Sequence, residues 1–150
     1  MDARSSYREA AVRGASPVRL VICLYEQAIE DLRCALAALK KGAVETRTCY
    51  VNHALMVIAH LQSTLDMEHG GQVARNLARF YSLIRAGVTE AHGKQSAALL
   101  EQQISYLVDV HEAWLEVERQ TEISNVAVSG SKPKISALPA SNPSFSDWSA

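Results

Sequence analysis

A long interval without proline constrains the fold of this chain most. Pro17 is the first proline in the sequence and Pro133 is the next. Since proline is the residue that most strongly breaks helices, the interval between them is free to form long ones. The pair Ser16-Pro17 is typical of a helix start, because the serine hydroxyl can accept from a first-turn amide and proline at the first position loses no hydrogen bond. No segment shows sustained period-two alternation, so strands are not expected.

Within this interval, apolar residues recur at three- and four-residue steps in four successive segments, which is the spacing of one face of an amphipathic helix. The first segment ends at Lys40-Lys41-Gly42, with cations and a glycine at the expected C-terminus, and the second stops before Gly70-Gly71. Four helices with short connections predict an all-α, antiparallel four-helix up-down bundle. The four apolar stripes are Val21, Leu24, Tyr25, Ala28, Leu32, Ala35, Leu36 and Leu39; Val51, Ala54, Leu55, Ile58, Leu61 and Leu65; Val73, Leu77, Phe80, Tyr81, Ile84 and Val88; and Leu100, Ile104, Leu107, Val110, Trp114 and Val117.

The composition changes after the fourth stripe. Residues 121–150 are rich in serine and alanine and hold three of the four prolines, and such segments bury too little apolar surface to fold. We therefore predict a short N-terminal segment at 1–16, a helical-bundle domain at 17–119 and a disordered tail at 120–150.

Charge and hydropathy argue against several partners. The net charge of -1 and the pI near 6.5 give no bulk attraction to nucleic acid, so no nucleic-acid partner is expected. No apolar run reaches the roughly 20 residues that span a bilayer, so stable membrane insertion is not expected. The first residues lack the apolar core of a signal peptide, which predicts a cytoplasmic protein.

Side chains that could carry catalysis are present but do not form recognisable motifs. The five histidines form no Glu-x-x-His or His-Glu-x-x-His spacing, and Cys23, Cys34 and Cys49 form no C-x-x-C pair. We therefore predict no enzymatic activity, no metal and no cofactor. A histidine phosphotransfer bundle built on His60 remains an alternative, although no basic residue lies within a turn of it.

The helices carry more apolar residues than one inward stripe requires. Beside the stripes lie Ile22, Met56, Val57, Leu83, Tyr106, Val108 and Leu115. In a small bundle some of these must face outward or into grooves between helices, and exposed apolar grooves bind amphipathic partner helices. This surplus favours a binding module.

Three landmarks make the sequence recognisable. The first comprises Tyr7, Gly14-Ala15-Ser16-Pro17 and Leu24-Tyr25-Glu26-Gln27-Ala28-Ile29. The second runs from Leu65-Asp66-Met67-Glu68-His69-Gly70-Gly71 through Asn76-Leu77 to Phe80-Tyr81, and the third is Ala113-Trp114. In this order and spacing they resemble the FliS family of flagellin-specific export chaperones.

The resemblance implies an antiparallel bundle that binds the C-terminal segment of flagellin, prevents its premature polymerisation and delivers it to the cytoplasmic domain of the flagellar type III export gate. It also implies that residues 1–16 act as a cap over an apolar groove. A generic helical adaptor for another export substrate remains an alternative. The residues predicted to contact the partner are Tyr7, Ile22, Tyr25, Met56, Val57, Tyr81 and Ile84.

Overall fold

The computed structural model describes residues 16–127, which form four α-helices joined by short connections. The helices are α1 (Pro17–Lys41), α2 (Val44–Ser63), α3 (Gly71–Lys94) and α4 (Ala97–Ala127). Each helix packs on the next in the chain, and α1 also packs on α4, which closes the ring. The described part of the chain contains no strand. The predicted all-α antiparallel bundle is therefore confirmed, whereas Tyr7 and residues 128–150 lie outside the described residues.

The ends of α1 follow local sequence chemistry. The Ser16 side chain accepts a hydrogen bond from the Arg19 backbone N–H at 3.2 Å, and Pro17 is the first helical residue. At the other end Gly42 adopts a left-handed conformation with φ of 70°, and its N–H bonds back to the last turn. Glycine reaches this region without the steric cost that a Cβ imposes, so both predicted signals are confirmed.

The connection between α2 and α3 is held by Asp66. Its carboxylate accepts from the backbone N–H groups of Glu68 at 3.1 Å and His69 at 3.0 Å, and its carbonyl accepts from the Gly70 N–H at 2.8 Å. A Cβ at Gly70 would lie 2.5 Å from that carbonyl oxygen, so no side chain fits there. Gly71 has a φ of 59°, which glycine adopts most readily. This part of the second sequence landmark therefore specifies a turn.

The core runs the length of the bundle and is built from the inward faces of all four helices. Its largest fully buried side chains are those of Tyr25 and Tyr81. Their rings lie 6.0 Å apart, and the Tyr25 hydroxyl donates to the Tyr81 hydroxyl at 2.8 Å. Burial raises the pKa of both phenols above the ordinary value, so both remain protonated hydrogen-bonding groups. The buried cluster comprises Leu24, Tyr25, Ala28, Ile29, Leu32, Ala35, Val51, Ala54, Val57, Ile58, Leu61, Leu77, Phe80, Tyr81, Ile84, Val88, Ala91, Leu100, Ile104, Leu107 and Val110.

Polar pairs set the register of α1 against α4. The Arg19 guanidinium donates to both carboxylate oxygens of Glu118 at 2.8 and 2.5 Å. Two turns further along α1, His111 Nε2 lies 3.2 Å from a Glu26 carboxylate oxygen. A bidentate arginine–carboxylate pair is geometrically specific. The two pairs therefore hold the helices antiparallel, with Pro17 level with Gln120.

A buried carboxylate links α1 to α2. Asp31 is almost fully buried, accepts from the Gln27 side-chain amide at 2.9 Å and contacts Nδ1 of His53. Buried carboxylates are costly unless hydrogen-bonded, so these contacts explain how the interior tolerates the acid.

The fourth helix is longer than the sequence predicted. Its end was expected near Arg119, but the helix continues to Ala127. The added residues contain neither proline nor glycine, so nothing in the backbone interrupts the helical hydrogen bonds. The boundary prediction was wrong because it rested on the average composition of residues 121–150.

Candidate functional site

An open groove lies between α2 and α3. Its lining combines Leu55 of α2 with Ser82, Ala86 and Thr89 of α3, spaced four and three residues apart and hence on one helix face. These α3 side chains are small and leave a recess of about 530 Å³ beside Leu55. The lining therefore combines the apolar side chains of Leu55 and Ala86 with polar or charged ones (Ser82, Arg85, Thr89 and Glu90), so it offers both kinds of contact to a partner.

Polar and charged groups form the rim of this groove. Gln62 of α2 donates to the Ser82 hydroxyl at 3.3 Å and accepts from the Arg85 guanidinium at 3.4 Å. Glu90, which also lines the groove, accepts from Lys94 at 2.7 Å. These contacts are solvent-exposed, so each stabilises the fold little and a partner can replace it at small cost.

The structure buries most of the residues predicted to contact a partner. Ile22, Tyr25, Tyr81 and Ile84 are at most 1% exposed and Val57 is 8% exposed. Ile22 and Val57, which lie beside the apolar stripes in the sequence, are therefore interior residues as well, and their contact with a partner stays a prediction. In a four-helix ring each helix contacts two neighbours, so positions flanking a stripe are also covered. In the described arrangement these side chains pack in the interior.

Met56 is the predicted partner residue that is accessible within residues 16–127. Its side chain is 69% exposed on the outer face of α2. Leu83 of α3, another member of the predicted apolar surplus, is 55% exposed, and Leu115 of α4 is also exposed. An exposed apolar surplus is therefore confirmed for these three residues. Single exposed apolar residues are common on protein surfaces, so the groove carries more of the functional argument than any one of them.

The reading of the sequence missed the groove residues on α3. Ser82, Ala86 and Thr89 lie outside the apolar stripe because their side chains are small or polar. The sequence pattern that could have predicted the groove is their three- and four-residue spacing, because small residues on one helix face leave room between helices. Leu55 was assigned to the inward stripe, but it is only partly buried and borders the groove.

Within residues 16–127, no cluster of three or more histidine, cysteine or acidic side chains could hold a metal ion. No helix in that range is both long and apolar enough to cross a membrane. Cys23 is buried and Cys49 is exposed, and both thiols are free. The fold and its groove define the class: a helical-bundle protein whose most evident site is a surface between helices.

Comparison with known proteins identifies the family. A family model described as flagellar protein FliS matches residues 1–121. Flagellar secretion chaperone FliSB of Pseudomonas aeruginosa is 31% identical over 106 residues, which cover 71% of this chain and 84% of the relative. Flagellar secretion chaperone FliS of Vibrio cholerae is 30% identical over 109 residues, covering 73% and 80%, and that of Salmonella typhimurium is 30% identical over 110 residues, covering 73% and 82%. The chain belongs to the FliS family.

Several residues that carry the family resemblance support the architecture. Tyr25 and Tyr81 form the buried hydroxyl pair, and Trp114 packs against the core. Asp66 and Gly70 shape the turn between α2 and α3. The residues that identify the family therefore include ones that stabilise the bundle. The residues that line the groove lie largely outside the three sequence landmarks.

Proposed function

We propose that this protein is a cytoplasmic export chaperone that binds the C-terminal segment of flagellin, prevents its premature polymerisation and delivers it to the flagellar type III export gate. Membership of the FliS family supports the class, since the relatives are named flagellar secretion chaperones. Flagellin as the substrate, the export gate as the second partner and the cytoplasm as the location belong to this proposal.

The groove between α2 and α3 is the observation that supports substrate binding most directly. Leu55 and Ala86 offer apolar contact area, while Ser82 and Arg85 offer hydrogen-bonding groups at the edge. A partner segment with an apolar face and polar flanks satisfies both kinds of group. We propose that the C-terminal segment of flagellin supplies this chemistry.

Binding of such a segment also accounts for chaperone action. A segment that assembles through its apolar face cannot polymerise while that face is covered by another protein. Ordering a flexible segment consumes part of the interaction free energy. The complex can therefore be stable enough to protect the substrate and still release it during export.

The test uses two exposed alanines on different helices. Ala86 lines the groove, whereas Ala37 lies exposed on α1, away from the groove residues. Ala86→Glu places a charge against the apolar contact and should weaken flagellin binding by about tenfold or more, the range of a hot-spot loss. Ala37→Glu adds the same charge and should leave the affinity within about twofold.

Binding is measured by isothermal titration of purified flagellin into each variant, after circular dichroism has shown equal helicity. Met56→Asp, on the exposed face of α2, tests whether the contact extends beyond the groove. If Ala86→Glu and Ala37→Glu bind flagellin equally well, the groove is not the binding site.

The export gate is the second proposed partner, and Tyr7 is the residue proposed to contact it. Tyrosine combines an apolar ring with a hydroxyl and has few rotatable bonds, which suits an anchor. Tyr7 lies outside the described residues, so this role rests on the family resemblance. We further propose that residues 1–16 form a cap that flagellin displaces, which would expose Tyr7 only in the loaded complex.

A further inference from the structure

Arg47 is a buried arginine without an ion pair in the described part of the bundle. It shares the inward face of α2 with Val51 and Ala54, and it is 6% exposed. Among residues 16–127 its Nε has no hydrogen-bond partner, and none of the ion pairs in that range includes Arg47. A buried polar group is costly unless an acceptor compensates it. The packing of the bundle alone therefore does not explain a guanidinium at this position.

The Arg47 side chain points toward one end of the bundle. Asp31 of α1 contacts His53 of α2, and the chain turns from α1 into α2 at Gly42-Ala43. Arg47 lies between this contact and the turn. Long side chains on a helix lean toward its N-terminus and cover the preceding turn. The guanidinium is therefore directed toward Ala43 and the first amides of α2.

The start of α2 offers hydrogen-bond donors at the same place. Ala43 occupies the N-cap position, and no side chain caps the helix. The N–H of Arg47 bonds to the Ala43 carbonyl at 3.0 Å, so the N–H groups of Val44, Glu45 and Thr46 have no partner within the helix. These amides also carry the positive end of the helix dipole. A buried guanidinium and free helix amides together form a set of donors for an anion.

We propose that the Arg47 guanidinium and the first amides of α2 bind a carboxylate of a partner peptide, either an acidic side chain or a free C-terminus. A carboxylate has two acceptor oxygens in one plane, so one can accept from the guanidinium and the other from a helix amide. The proposal does not depend on which protein the groove between α2 and α3 binds.

The balance of charge favours a singly charged ligand over a doubly charged phosphate. Lys40 and Lys41 lie in the last turn of α1. Glu101 pairs with Lys40 at 3.6 Å, and Glu45 lies in the first turn of α2. The two lysines and the two acidic residues offset one another, which leaves the charge of Arg47 unbalanced. One carboxylate neutralises this charge, whereas a second negative charge would face Glu45.

Titration of the ¹⁵N-labelled full chain with sodium acetate tests the site without a variant. Sodium chloride is added to keep the ionic strength constant. Acetate should shift the Nε–H resonance of Arg47 and the amides of Val44, Glu45 and Thr46 along one saturable curve. The start of α3 is the internal control, because it also lacks a side-chain cap but carries no buried arginine. Equal shifts at both helix starts, or shifts at neither, would overturn the proposal.

Three substitutions separate the contributions to acetate binding. Arg47→Gln should weaken it by about tenfold or more, the range for loss of a hydrogen bond to a charged group. Arg33→Gln removes the same charge from an exposed position on α1 and should leave the affinity unchanged. Ala43→Asp places a carboxylate at the N-cap, so it should stabilise the helix and compete with acetate. Unchanged acetate binding in Arg47→Gln would exclude Arg47 from the site.

Urea denaturation distinguishes a binding role of Arg47 from a purely structural one. Arg47→Met keeps an apolar stem and removes the buried donor, so in chloride it should be at least as stable as wild type. Acetate should raise the unfolding midpoint of wild type above its value in equal chloride and leave that of Arg47→Met unchanged, because a ligand stabilises only the state that binds it. A loss of stability in Arg47→Met that is the same in both salts, with no acetate effect on wild type, would identify a packing role and overturn the proposal.

Short glycine–serine peptides then identify the source of the carboxylate. Binding of a peptide with a free C-terminus, but not of its amidated form, identifies a chain terminus. Binding of an amidated peptide that contains one glutamate identifies an acidic side chain. Binding of neither peptide, or tighter binding of inorganic phosphate than of acetate, would contradict a carboxylate site.

Discussion

Replacing Gly70 with alanine tests the account of the turn between α2 and α3. The backbone φ of Gly70 is -76°, which any residue adopts, so the cost of a side chain is steric alone. The new Cβ would lie 2.5 Å from the Asp66 carbonyl oxygen and 2.6 Å from the Ala74 Cβ. Neither neighbour is the end of a flexible side chain, so the backbone of the turn must move.

The magnitude follows from this geometry. Overpacking that forces backbone shifts costs about 1–3 kcal/mol, and contacts this short with rigid groups place Gly70→Ala in the upper half of that range. Gly93→Ala is the matched control, since the added Cβ at Gly93 meets nothing within 4 Å. In a helix this change should stabilise the protein by about 0.5–1 kcal/mol. The two variants should therefore differ by about 3 kcal/mol, with opposite signs relative to wild type.

Urea denaturation followed by far-ultraviolet circular dichroism measures both changes as a shift in midpoint at constant slope. A Gly70→Ala variant as stable as wild type would show that the turn relaxes without cost. The steric explanation of this part of the sequence landmark would then be wrong.

Three further changes have defined outcomes. Tyr81→Phe should destabilise the bundle by about 1–3 kcal/mol because it leaves the buried Tyr25 hydroxyl without its acceptor, and thermal unfolding of the single and double Phe variants measures the coupling. Hydrogen bonds from the His69 backbone and side chain lower the pKa of Asp66 in the folded protein. The stability that this carboxylate contributes is therefore present above its unfolded pKa of ~3.9 and is lost as the pH falls through its lower folded pKa. Acid titration of Asp66→Asn should show a smaller loss of stability than wild type. Tyr7→Ala should preserve the flagellin complex but reduce its capture by the export-gate cytoplasmic domain, and equal capture in a pull-down would exclude the anchor role.

Features of the fold that depend on residues close together in the sequence could be predicted from the sequence alone. Ser16-Pro17 and Gly42 act within one helical turn, Ser16 through its side-chain hydroxyl and Gly42 through its backbone N–H, so their positions define the ends of α1. The end of α4 was harder to predict, because it depends on whether a helix continues where no neighbouring helix packs on it. The average composition of residues 121–150 indicated an end near Arg119, whereas the helix continues to Ala127. Gly130 is the first glycine or proline after Ala127, and this local signal would have allowed the longer helix.

The candidate site was harder to predict because it depends on how two helices separate. Met56 and Val57 both lie beside the apolar stripe of α2, and the sequence left open which of them faces outward; Val57 is buried because α2 packs against two neighbouring helices. Met56, its neighbour in sequence, points outward because one residue step rotates a helix by about 100°. The groove opens at Ser82 and Ala86, whose small size reduces packing against α2. Hydrophobicity patterns score such residues weakly, so the groove became visible only in three dimensions.

Binding of full-length and C-terminally truncated flagellin by the purified chain tests the proposed function most directly. Isothermal titration compares flagellin with a version that lacks only its C-terminal segment, with circular dichroism confirming that the rest of the truncated protein is folded. We expect a saturable complex with full-length flagellin and no detectable heat with the truncated protein. Equal binding of both proteins would contradict recognition of the C-terminal segment, and binding of neither would contradict flagellin as the substrate.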